Sequence, residues 1–220
     1  MCCKINICRK KIGRMIYLLE KAYPSSKTEL IFNTPFQLLI ATILSAQATD
    51  KTVNKVSSTL FKKYKTPCDF AKADIDELKT AINSINYYNT KANNIKKLAE
   101  MIVRQYNGKV PDTMEELIKF PGVARKTANV VLSQGFGKTE GIVVDTHVKR
   151  LAGRLGISKS NTPEKIEQDL MKIVPYEKWV SFPFSLILHG RAVCKAKRPL
   201  CDICFLYSLC SYGGKQCLIS

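Results

Sequence analysis

The segment Phe120-Pro121-Gly122-Val123-Ala124-Arg125-Lys126-Thr127-Ala128-Asn129 decides how the rest of the chain is read. Ahead of it, Glu115 to Phe120 carries an amphipathic helical pattern, and a second helical pattern begins near Ala124. Pro-Gly between two such patterns is a turn signal, so the segment is a helix–hairpin–helix. The turn and the first turn of the following helix leave backbone N–H groups outside the intrahelical ladder, and the helix dipole adds positive potential there. A phosphate can be held at that point without any reading of base sequence. Gly122, Ala124 and Arg125 are therefore expected against a nucleic-acid backbone. Lys126 falls in the same first turn, where the dipole and the neighbouring Arg125 disfavour a charged ammonium and should lower its pKa. An uncharged amine can attack a sugar C1′ and form a Schiff base. Taken alone, a solvated lysine on a basic helix is the other reading.

The helical period extends both ways from the hairpin. Apolar residues recur at helical spacing in Ile12, Met15, Ile16 and Leu19, in Phe36, Leu39, Ile40 and Ile43, and in Ile95, Leu98, Ala99, Ile102, Val103 and Tyr106. Thr34-Pro35 and Thr162-Pro163 each put an N-cap residue before a proline at the first helical position, and Thr113 with Glu116 reads as a capping box. Asn107-Gly108, Gly135 with Gly137, and Pro175 read as stops. No strand alternation competes, and no fixed repeat or low-complexity run is present. The fold expected is all-α.

Composition sets the class. Thirty-five Lys and Arg against eighteen Asp and Glu give a formal charge of +17, spread along the chain. The expected partner is a polyanion, with nucleic acid the best fit, although charge alone also allows a merely soluble basic protein. With 220 residues and 45% hydrophobic content the chain can bury a core, in one large domain or two small ones. It contains no apolar run of membrane-spanning length, and Met1 to Lys11 has no apolar centre. No membrane, no secretion signal and a cytoplasmic location are expected. Nine cysteines, an odd number, then read as thiols or metal ligands.

Cys194, Cys201, Cys204 and Cys210 are separated by six, two and five residues, close enough to converge on one metal site. A zinc ribbon more often shows two close pairs across a long gap. One close pair between two longer gaps suits a wrap around a larger inorganic core, though spacing alone does not name the metal. Cys2, Cys3, Cys8, Cys68 and Cys217 show no grouping and are read as small buried hydrophobes. Lys195, Lys197 and Arg198 lie between the first two ligands, where a ligated loop would present them to phosphates; a solvated charge run is the alternative.

Together with Leu44-Ser45-Ala46-Gln47-Ala48-Thr49-Asp50, Val144-Asp145-Thr146-His147 and Leu188-His189-Gly190-Arg191, the hairpin and the four cysteines occur in an order and at separations that resemble the endonuclease III family of helix–hairpin–helix DNA glycosylases. The resemblance runs from about residue 10 to about residue 213. It implies two all-α lobes: a six-helix barrel over 28–139, and an iron–sulfur lobe of 1–27 and 140–220, with the active site in the cleft between them. It implies a bifunctional glycosylase and abasic-site lyase of base excision repair that removes oxidised or damaged pyrimidines from duplex DNA. A lysine Schiff base and β-elimination at the 3′ side would carry the chemistry. It implies a [4Fe–4S] cluster on the four cysteines, and a monomeric, bacterial-type protein associated with the nucleoid through DNA.

By the same resemblance Lys126 is the nucleophile. Asp145 is the carboxylate that assists its deprotonation or steadies positive charge on the sugar, and it is also placed to cap the helix starting at Thr146. Gln47 matches the residue that enters the gap left by the extruded nucleotide, and Tyr87 falls at a wedge position. His147 and His189, the only histidines, are read as structural or DNA-contacting. Ala124 stands where the family usually has glycine, at no cost if a helix starts there. Asn86-Tyr87-Tyr88-Asn89 stands where the family commonly has Gly-Leu-Tyr-Asn, so Asn86 is expected to take left-handed backbone. A monofunctional glycosylase acting on mismatched adenine would lack the lysine nucleophile, and a non-catalytic DNA-binding module would need neither Lys126 nor Asp145. Incision of an abasic duplex separates these readings.

Overall fold

The computed structural model describes residues 2–24 and 26–213, and for residues 2–9 the helix but not the side chains. Cys217 and the side chains of Cys2, Cys3 and Cys8 lie outside the described residues. Those residues form eleven α-helices and three short 3-10 turns, with no strand. No helix among them is long and apolar enough to cross a membrane. In chain order the helices are α1 (Cys2–Ala22), α2 (Pro35–Leu44), α3 (Asp50–Lys63), α4 (Pro67–Lys72), α5 (Ile75–Ala81), α6 (Tyr88–Gln105), α7 (Met114–Leu117), α8 (Arg125–Gly135), α9 (Thr146–Leu155), α10 (Pro163–Ile173) and α11 (Ser181–Ala192). They divide into two compact units, 28–140 and 1–27 with 141–220.

The 28–140 unit is built on α2. Phe36 and every residue from Leu38 to Leu44 are buried, which makes α2 a central helix rather than a surface one. Pro35 and the Thr34 hydroxyl, which accepts the Gln37 N–H, start it. It packs on α3, α6 and α8. Helix α6 turns Ile95, Leu98, Ala99 and Ile102 inward and ends where Asn107 and Gly108 both take positive φ; the Gly108 N–H closes on the Ile102 carbonyl at 3.0 Å. The helix ahead of the hairpin is shorter than its pattern: α7 stops at Leu117, and the chain turns from Ile118 to Phe120, whose ring packs edge-on against Tyr106. The expected capping box at its start is only half formed. Thr113 accepts the Glu116 N–H at 3.4 Å, but the Glu116 carboxylate goes to Lys119 and Tyr106 instead of back to the cap. A complete capping box occurs at Thr66 and Asp69, ahead of α4.

In the other unit α1 lays Ile12, Met15, Ile16 and Leu19 into the core and packs on α10 and α11, while α9 packs on the same two helices. The Lys11 ammonium donates to the Leu155 carbonyl at the end of α9 (3.0 Å), a cation where the helix dipole favours one. Thr162 occupies the cap position of α10 without a side-chain hydrogen bond, so Pro163 alone carries that start signal.

Candidate active site and metal centre

The hairpin is set by two backbone positions. Gly122 has φ +80, and a Cβ there would meet the Asn94 amide at 3.0 Å, so both the conformation and the space call for glycine. Ala124 has φ −91 and serves as N-cap of α8 without a side-chain hydrogen bond. Alanine is therefore unstrained there, and no side chain caps the start of α8, the end at which helices receive anions. Arg125 is exposed and Lys126 half-buried in the first turn, while Thr127 to Leu132 anchor the helix in the core.

A second group of residues gathers between the end of α2 and the start of α6. Gln47 is exposed with φ +56. Tyr87, the residue before α6, has φ +59 and is 65% exposed. The left-handed position in this turn is thus Tyr87 and not Asn86. The physical reason is that Asn86 uses its side chain elsewhere: its Nδ2 donates to the Gln47 carbonyl at 2.7 Å. Lys91, one turn into α6, is buried and donates to the carbonyls of Leu44 (2.9 Å) and Ala46 (2.6 Å). Burial holds its pKa below the usual lysine range. Sequence motifs marked Asn86 only for its backbone and did not mark Lys91. A signal existed for Lys91, because the α6 stripe of Ile95, Leu98 and Ile102, continued back by one turn, lands on it.

Asp145 is the N-cap of α9. Its Oδ1 accepts the Val148 N–H at 2.8 Å, and its Oδ2 takes no hydrogen bond among the described residues. One turn on, Arg150 donates to the Gly190 and Cys194 carbonyls and meets His147 Nδ1. Arg154, four residues later, donates to the carbonyls of Lys195 (2.7 Å) and Ala196 (2.9 Å) and to the Cys194 sulfur (3.3 Å). These two arginines, also missed from sequence, hold the start of the cysteine loop to α9. Lys195, Lys197 and Arg198 are left exposed on that loop, with Arg198 at φ +52.

The four cysteines line one cavity with Arg154, Val193, Pro199, Leu200, Tyr207 and Tyr212. Burial pushes the Cys201 and Cys204 thiols up. The charges of the neighbouring cysteines add to this, partly offset at Cys204 by a backbone hydrogen bond from Leu206. Sulfurs that oppose one another's ionisation need a cationic centre to become thiolates together. Four thiols around one cavity suit an inorganic core of several atoms. The residues therefore fit an iron–sulfur cluster. His189 sits behind them, 1% exposed, with Nε2 3.4 Å from the Cys204 sulfur and Nδ1 3.3 Å from the Tyr23 hydroxyl. Burial lowers its pKa to about 4, which favours the neutral ring. Cys68 corrects its own reading: it is exposed, not buried.

Residues 40–176 match the HhH-GPD superfamily base excision DNA repair protein family, and residues 194–210, the span of the four cysteines, match the iron-sulfur binding domain of endonuclease III. Endonuclease III of Synechocystis is 48% identical over 92% of either chain. The Bacillus subtilis endonuclease III is 46% identical over 97% of this chain and 94% of its own. A solved structure of a trapped endonuclease III–DNA covalent intermediate, in an estranged-adenine complex, is similar with a TM-score of 0.90 and 45% identity, covering 95% of this chain and 98% of that one.

Proposed function

The chain belongs to the endonuclease III branch of the HhH-GPD superfamily of base excision repair proteins, and from that premise we infer that Lys126 and Asp145 carry its chemistry on damaged duplex DNA. It is a DNA glycosylase and abasic-site lyase with a [4Fe–4S] cluster. The observation that carries the residue assignment is the place of Lys126 at the second position of α8, directly after an uncapped hairpin. There a phosphate held by the hairpin would bring the adjoining sugar to an amine.

Lys126 Nζ adds to C1′ as the N-glycosidic bond breaks, and the base leaves with the bonding pair and a proton. The C1′–O4′ bond then breaks, the ring oxygen takes a proton from water, and the nitrogen lone pair forms the C1′=N bond of a protonated Schiff base that keeps the remaining N–H. Removal of a C2′ proton then expels the 3′ phosphate. Asp145 keeps Oδ2 for this chemistry while Oδ1 holds the helix cap, either taking the amine proton or facing positive charge at the sugar. The bases removed are oxidised or damaged pyrimidines, as the family implies, and the protein acts as a monomer associated with the bacterial nucleoid through DNA. Gln47 and Tyr87 enter the duplex. Gly122, Ala124, Arg125, Lys195, Lys197 and Arg198 meet its phosphates. Cys194, Cys201, Cys204 and Cys210 hold the cluster, which supplies folding energy and a rigid loop.

Borohydride with an abasic-site duplex tests the nucleophile. The parent protein should become cross-linked to DNA and Lys126→Ala should not. Equal trapping by the variant would assign the Schiff base to another amine. Lys91 is no substitute, since its ammonium is buried on two carbonyls.

A further inference from the structure

Gln47 and Tyr87, two of the three exposed non-glycine residues on left-handed backbone in the 28–140 unit, stand on loops joined by the hydrogen bond from Asn86 to the Gln47 carbonyl. A non-glycine residue keeps a positive φ only where its surroundings over-determine it. Here the surroundings are three hydrogen bonds running from one loop and helix start to the other. Asn86 Nδ2 holds the Gln47 carbonyl (2.7 Å), and Lys91 Nζ holds the carbonyls of Leu44 and Ala46 just before it. The Ala48 N–H closes the same turn on the Ser45 carbonyl at 3.1 Å. The Lys91 ammonium lies at the C-terminal end of α2, where the helix dipole favours a cation, and this offsets part of its burial.

We propose that Asn86 is a positioning residue that ties Gln47 and Tyr87 into one preformed two-pronged wedge for opening duplex DNA. The proposal rests on the reading that these two side chains enter the duplex. Glycine, the usual family residue at this position, has no side chain with which to make the tie. In this chain the tie gives a fixed spacing between a hydrogen-bonding prong and an aromatic one. Ordering two separate loops at the moment of entry would cost conformational entropy, and a tied pair has already lost it. Asn86 itself does not have positive φ and is exposed, so substitution there changes the tie without straining the backbone or the core.

The test uses the full-length holoprotein and two duplexes. One carries a paired 5,6-dihydrouracil with 2-aminopurine beside it as a reporter of unstacking, and the other a preformed abasic site. Asn86→Asp keeps the shape but replaces the donor with an acceptor, and Asn86→Ala removes both. Each should slow the 2-aminopurine rise and base removal by about tenfold, with a clearly smaller loss in strand cleavage at the abasic site, where no base pair has to be opened. In a Gln47→Ala background, Asn86→Asp should cost little more, because a residue acting through another shows non-additivity and a merely structural one does not. If Gln47→Ala and Tyr87→Ala slow extrusion while both Asn86 variants match the parent, the wedge stands and the tie is overturned. If neither Gln47→Ala nor Tyr87→Ala changes extrusion, the wedge reading itself fails and takes the tie with it. Equal losses on both duplexes, or additive losses in the double variant, would reduce Asn86 to a folding element.

Discussion

At the scale of single residues, the useful feature of Asp145 is that its two oxygens can be given different tasks. One caps α9 through the Val148 N–H at 2.8 Å. Asparagine caps a helix about as well as aspartate, whereas alanine loses about 1 kcal/mol of helix stability. Asp145→Asn therefore separates capping from charge. Its melting temperature and its affinity for damaged duplex should stay close to the parent's, while single-turnover base removal falls on the order of 10²-fold. Loss of affinity and stability in step with rate would make Asp145 a cap and nothing more. The same scale shows where a correct rule met the wrong residue. Asparagine tolerates left-handed backbone, yet in the turn before α6 it is Tyr87 that adopts it, because the Asn86 amide has a better partner in the Gln47 carbonyl.

At the scale of elements, α9 links the candidate catalytic carboxylate at its start to the cysteine loop near its end. Arg150 and Arg154, one turn apart on its surface, hold three successive carbonyls of that loop, those of Cys194, Lys195 and Ala196. The loop itself has two 3-10 turns and, among its described residues, one buried apolar side chain, Leu206. Its order should therefore depend on the cluster. Cys201→Ser, purified anaerobically, should lose iron and sulfide and the broad visible absorption that accompanies them. It should also melt lower by roughly 10 °C. Parent protein that contains zinc and no iron, after expression with ample iron, would overturn the cluster while leaving the loop's description intact.

At the scale of the whole molecule, a formal charge of +17 makes DNA affinity a matter of counterion release. Neutralising Lys195, Lys197 and Arg198 to glutamine should reduce the log–log salt slope of binding by about 0.9 for each phosphate that is no longer neutralised, up to about 2.7 for the three. The change should be the same for damaged and undamaged duplex, and titrations at several salt concentrations measure it. An unchanged slope would show that these three cations are only a solvated face. What could be read without coordinates was local in the chain. The helical period, the caps at Thr34 and Asp145, the Pro-Gly hairpin with Lys126 after it, and four cysteines within a short span all place their evidence within a few residues of one another. What only the tertiary structure decided was which side chains serve distant backbone. Lys91 on the carbonyls of Leu44 and Ala46, Asn86 on that of Gln47, and Arg150 and Arg154 on the cysteine loop each bind a group that every residue possesses. A backbone carbonyl leaves no mark in residue type, so the partner of such a side chain becomes visible only when the chain has folded back upon it.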